Sequence, residues 1–215
     1  MSLATSRKAR DEYLENYALR FALKYFYPAH PIIREIRRRF ERAKSPSLHA
    51  RMYYDIVDAG NVKELRGIVL SGKEKHPPSE LVHTYKNLQG KYVKIPAKFD
   101  YHKVSISPFR MKCNCQDALI TSSRADNRLT RIFHRPMTIA SRYVLCKHTI
   151  AFLPVALKNH VITYDEAKLL MKRAVLIFIL GRSNIRIPYK DIDYVLGLSQ
   201  RRVYRHGGKY NYKSV

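Results

Sequence analysis

Apolar positions between Asp11 and Tyr27 recur every third or fourth residue: Tyr13, Leu14, Tyr17, Ala18, Phe21, Ala22 and Tyr25, with charges between them. A helix of 3.6 residues per turn gathers such a set on one face, so the pattern predicts an amphipathic helix. Pro28 and Pro31 punctuate it. Pro31 suits the first turn of a second helix over Ile32–Ala43, where its missing N–H has no partner to lose. After Ser45-Pro46-Ser47 the pattern predicts a third helix from about Leu48 to Val57, a break at Gly60-Asn61, and a short fourth helix over Val62–Leu70. Residues 1–75 thus read as a helical N-terminal region.

The polar stretch Gly72–Pro78 reads as a linker or exposed loop, and beyond it the period changes to two. Lys91–Pro96 and Tyr101–Ser107 alternate as strands do, and Met111–Cys115 extends a strand or begins a knuckle. Residues 116–142 show no clean period. They carry Arg124, Arg128, Arg131, Arg135 and Arg142 against Asp117 and Asp126, a basic loop by this reading. Tyr143-Val144-Leu145 leads into an apolar helix containing Cys146, His148 and Phe152. Thr163 and Glu166 have capping-box spacing and open a helix over Tyr164–Leu180, which Gly181 ends. The expected fold is α+β and mostly helical: a helical region 1–75, a small module 76–160 interrupted by the insertion 116–142, and a helical region 161–215.

Charge narrows the function. The 215 residues hold 41 Lys+Arg against 17 Asp+Glu, a net +24. Such self-repulsion calls for a polyanionic partner, and nucleic-acid phosphate is the usual one. With 46% apolar residues the chain has enough hydrophobic surface to exclude a wholly disordered basic tail. No window approaches eighteen consecutive apolar residues, and the N-terminal residues show no signal-peptide pattern. An odd number of cysteines, three, argues against a disulfide framework and for a reducing interior. A cytoplasmic location, on nucleoid or ribosome, or nuclear in a eukaryote, is the expectation.

The three cysteines and one histidine fall into two pairs, Cys113-Asn114-Cys115 and Cys146-Lys147-His148. On extended backbone a spacing of two puts both side chains on one side. Two such pairs face to face supply the four soft or borderline donors of tetrahedral Zn²⁺, and a helix starting near Cys146 would favour its thiolate. His102 and His134 are conceivable substitute ligands. At these residues the sequence resembles the SWIM-type zinc finger, Cys-x-Cys, a gap, then Cys-x-His. The resemblance implies two strands and a helix, zinc held by Cys113, Cys115, Cys146 and His148, and roles in DNA binding or protein contacts. Two features depart from that pattern. Thirty residues separate Cys115 from Cys146, and Pro154 lies inside the expected helix, where it would kink or end it. With four protein ligands the site is closed, hence structural.

A second signal lies near the C-terminus. Residues 187–206 read as a helix-turn-helix-like unit: Ile192, Val195 and Leu196 on a buried face, Gly197 in the turn, Leu198 buried, Ser199 as cap and Val203 inward. Gln200, Arg201, Arg202, Tyr204 and Arg205 would face a groove, with Lys209 in a basic tail. Further phosphate contacts are expected from Arg37, Arg38 and Arg39 on the second helix and from Arg128 and Arg131 in the basic insertion.

The chain contains no Gly-x-x-x-x-Gly-Lys-Ser/Thr loop, Gly-x-Ser-x-Gly or His-Glu-x-x-His, and its acids are scattered. No catalysis, small-molecule substrate or membrane partner is expected. The leading expectation is a zinc-stabilised DNA-binding protein. The competing ones are a ribosomal or ribosome-associated RNA binder and an adaptor for a recombination or transposition partner.

Overall fold

A computed structural model describes residues 7–70, 82–96 and 101–198. It divides into two compact units, Met1–Ile185 and Arg186–Val215. The first contains helices α1 (Arg7–Ala22), α2 (Pro31–Ala43), α3 (Pro46–His49), α4 (Gln116–Phe133), α5 (Lys147–Lys158) and α6 (Tyr164–Arg182). Its strands are β1 (Met52–Ala59), β2 (Val62–Leu70), β3 (Val82–Asn87), β4 (Tyr92–Pro96), β5 (Tyr101–Ser107) and β6 (Arg110–Cys113). They form one antiparallel sheet in the order β4-β3-β1-β2-β5-β6. The fold is α+β, as expected, with a sheet larger than the sequence pattern suggested.

The difference lies at 52–70, where two expected helices are a β-hairpin. Ala59 pairs with Val62, leaving the two-residue turn Gly60-Asn61, and Gly60 takes φ +71°. Positive φ at the first turn position is what a tight hairpin matched to strand twist requires, and glycine adopts it without a Cβ clash.

Helix α5 packs on β2, β5 and β6, and also meets α1, α2 and α6. Every residue from His148 to Leu157 is buried. The helix continues through Pro154, so of the two expected effects, a kink or an end, the proline does not end it. Gly67 of β2 fits beneath it: a Cβ there would come within 2.7 Å of the Phe152 ring.

The basic insertion is not a loop. Residues 116–133 form α4, packed on α6. Its buried stripe is Ala118, Thr121, Ser122, Ala125 and Leu129, correctly spaced for a helix but mostly small and partly hydroxylic. Hydropathy hides such a stripe, and close packing explains it. Gly181 lies against Thr121, where a Cβ would stand 2.3 Å from the Thr121 carbonyl oxygen. Gly181 therefore sits inside α6 as a contact point, and the helix ends at Arg182. The expected capping box opens it: Thr163 Oγ1 accepts from the Glu166 amide at 3.3 Å, and Glu166 accepts from the Thr163 amide at 2.7 Å.

In the second unit α7 spans Tyr189–Leu196, with Ile192, Val195 and Leu196 buried. Gly197 follows in the left-handed region at φ +64°. Ser199, Gln200, Arg201, Arg202, Val203, Tyr204, Arg205 and Lys209 lie outside the described residues, as does the linker expected at 72–78.

Candidate metal centre

Each ligand position is set by the end of an element. β6 ends on Cys113 beside β5, with Val104 as its register partner. Asn114 is anchored to β5 in both directions: its Oδ1 accepts from the Lys103 amide at 2.7 Å, and its amide donates to the Lys103 carbonyl at 3.2 Å. That anchor fixes the turn carrying Cys113 and Cys115. Cys115 is the N-cap of α4 and Cys146 the N-cap of α5. Two helix N-termini, each a local excess of positive charge and free N–H groups, thus converge where thiolates gather. Thr149 holds the α5 start: its Oγ1 accepts from the Cys146 amide at 3.1 Å and donates to the Val144 carbonyl at 2.8 Å.

All three cysteines are free thiols, and they and His148 are buried. One donor atom from each lies within 4.8 Å of every other. A tetrahedral ion with metal–sulfur bonds near 2.3 Å needs donors about 3.8 Å apart. No pair of donors exceeds that spacing by more than about an ångström, and the cluster is a possible metal site. His148 presents Nδ1, at 3.6 Å from Cys113 Sγ, and the Cys115 amide points at the same sulfur at 3.4 Å. Among the described residues no other group of three or more His, Cys, Asp or Glu side chains converges in this way.

Hydrogen bonds from Cys113 and Cys146 hold the Cys115 thiol below the ordinary range. Cys113 is driven up by its hydrogen bonds to Cys115 and Cys146, and burial pushes Cys146 up to about 12. A dication held by the three sulfurs would let all three ionise.

His102 and His134 fall outside the converging group. The His102 ring stacks on His148 with centroids 4.8 Å apart, and burial followed by the His148 charge lowers its pKa. His134 is the exposed C-cap of α4, whose 18 residues carry it about 27 Å from Cys115.

A buried arginine ties the two ligand pairs together. Arg39 is only 5% exposed. It donates to Asp117, two residues beyond Cys115, through Nη2 to Oδ1 at 2.9 Å and through Nη1 to Oδ2. It also donates to the Leu145 carbonyl, one residue before Cys146, at 2.9 Å, and to Glu35 at 3.1 Å. Its guanidinium lies 4.5 Å from the Phe178 ring centroid. Arg182 closes on Asp117 from α6. Burial alone would raise the Asp117 carboxyl, but the Arg39 hydrogen bond and charge, then the Arg182 charge, hold it below its ordinary value.

Arg39 was expected at phosphate; that expectation is corrected, because its fork is spent inside the protein. Arg128 is corrected likewise: it donates to the Ser183 and Ile185 carbonyls and, at 3.4 Å, to Leu180, terminating α6. Arg37, Arg38 and Arg131 are exposed. Sequence reasoning missed the supporting roles of Arg39, Arg182, Asn114 and Thr149. Only their closeness in sequence to a ligand could have signalled the last two.

Compared with protein-family models, curated proteins and solved structures, the chain gives no match. No helix among the described residues is long and apolar enough to cross a membrane.

Proposed function

We propose that this chain is a zinc-stabilised nucleic-acid-binding protein, with DNA the favoured partner, and that it is not an enzyme. Three thiolates and one imidazole in a buried, four-donor cluster suit Zn²⁺ better than the hard cations, which prefer oxygen. A filled tetrahedron leaves no position for substrate, so the ion's role is to pin the β6 end to the starts of α4 and α5. Strands β5 and β6 followed, across the α4 insertion, by α5 support the SWIM-like reading.

The observation that carries the nucleic-acid reading is the charge excess, 41 Lys and Arg against 17 acids, +24 overall. Among those acids Glu15, Glu35, Glu64, Asp117 and Asp165 are each engaged in ion pairs, Asp126 accepts from the Ala140 amide, and Glu166 completes a helix cap. The acids are too few to neutralise the exposed Lys and Arg, so the counter-charge has to come from outside. Salt titration of binding to a duplex tests this. Counterion release predicts a log–log slope of about −0.9 per phosphate contacted, and a flat response contradicts it. Sedimentation of the native protein on washed ribosomal subunits would favour ribosomal RNA as the partner instead.

A further inference from the structure

The sheet has a second face. Leu65, Gly67 and Val69 of β2 and their register partners on β5 share the side on which Phe152 of α5 lies. The alternate positions point the other way. There a groove of about 630 Å³ is lined by Arg66, Lys103, Arg110 and Lys112 together with Tyr85 and Tyr101.

The groove is built, not merely charged. Glu64, buried at its floor, pairs with Arg110 at 2.5 Å and with Arg66 at 3.5 Å, and accepts from Ser105. Ser105 Oγ in turn accepts from Arg110 Nε at 3.1 Å. One acid thus fixes two arginines whose side chains remain 41% and 61% exposed. Lys103 lies 5.5 Å from the Tyr101 ring centroid. Cys113 and Asn114 line the same groove, so the metal cluster and the groove share a wall.

Resting on the nucleic-acid reading above, we propose that this groove holds a single-stranded stretch of nucleic acid, phosphates on Arg66, Lys103, Arg110 and Lys112 and a base stacked on Tyr101. Cations interleaved with aromatic rings are what an unpaired strand requires, since it offers backbone charge and open base faces together. A duplex hides its base faces within its own stack and offers none to Tyr101.

The test uses the full, metal-loaded chain and the fluorescence anisotropy of labelled oligo(dT), oligo(U) and a duplex, each about 20 nucleotides long, beyond the 4–16 covered by one compact binding fold. The expected result is tighter binding to single strands than to the duplex. Tyr101→Leu should weaken single-strand binding about tenfold. The double change Arg66→Gln, Lys103→Gln should make the single-strand salt slope shallower by about 0.7 per lost contact. It should leave circular dichroism and metal content unchanged, and so decides the matter if Tyr101→Leu fails to fold. Preference between oligo(dT) and oligo(U) separates a DNA from an RNA source. Full retention of single-strand affinity in the double variant overturns the groove while leaving the nucleic-acid reading intact. Equal losses on duplex and single strand overturn the single-strand assignment. No binding to any probe overturns both.

Discussion

Replacing Arg39 by Ala is the sharpest way to ask whether the metal cluster is held from outside its own ligands. The change removes two bonds to Asp117, one to the Leu145 carbonyl and one to Glu35, and empties the space over the Phe178 ring. Breaking a buried ion pair costs about 3–5 kcal/mol when one partner is left uncompensated. Here Asp117 keeps Arg182 and is 35% exposed, so solvent recovers part of that loss. A destabilisation of about 3 kcal/mol follows, or about 6–12 °C in Tm for a chain of this length. Because Arg39 grips a residue beside each ligand pair, metal affinity should also drop about 10- to 100-fold. Thermal unfolding followed by circular dichroism reads the first effect, and zinc transfer to a chromogenic chelator the second. Arg38→Ala, at an exposed neighbour, should stay within about 0.5 kcal/mol of wild type. If Arg39→Ala and Arg38→Ala behave alike in both assays, the bridging role assigned to Arg39 is wrong.

Gly181→Ala should destabilise the α4–α6 contact by about 1–3 kcal/mol in urea unfolding, because its Cβ would meet Thr121 backbone, which cannot swing aside; a neutral result would mean the helices do not approach so closely. For Glu64, burial alone would raise the carboxyl, but hydrogen bonds from Ser105 and Arg110 and the charges of Arg110 and Arg66 outweigh it and hold it low. A carboxyl whose pKa is lowered on folding contributes stability above its unfolded value, about 4.3, and loses it as pH falls through the folded one. Glu64→Gln should therefore narrow its stability gap from wild type as pH drops from 6 towards 3, read by urea midpoints; a gap constant with pH would remove Glu64 from that account.

What the sequence made legible was chemistry encoded by spacing. Two dipeptide-spaced pairs nominated Cys113, Cys115, Cys146 and His148, and the fold brings those four together. The Pro31 helix start and the Thr163–Glu166 cap were equally local, and both are observed. The failures came from information that is not local. Tyr53, Tyr54, Ile56 and Val57 fit a strand as well as a helix face, and the two-residue turn Gly60-Asn61 was the stronger signal of a hairpin. The α4 stripe was invisible because Ala118, Thr121, Ser122 and Ala125 are small where α4 packs on α6, and Gly181, which meets Thr121, lies far along the chain. Arg39 looked like one member of a solvated run, and nothing near it announces Asp117, 78 residues away.

The central claim is that a single ion organises the two pairs, and elemental analysis of protein purified without added metal tests it most directly. One zinc per chain, released only when the thiols are modified and lost in Cys113→Ser with unfolding of the segment from β5 to α5, is the predicted result. A fully folded protein carrying no bound metal, with three thiols titrating in the native state, contradicts it.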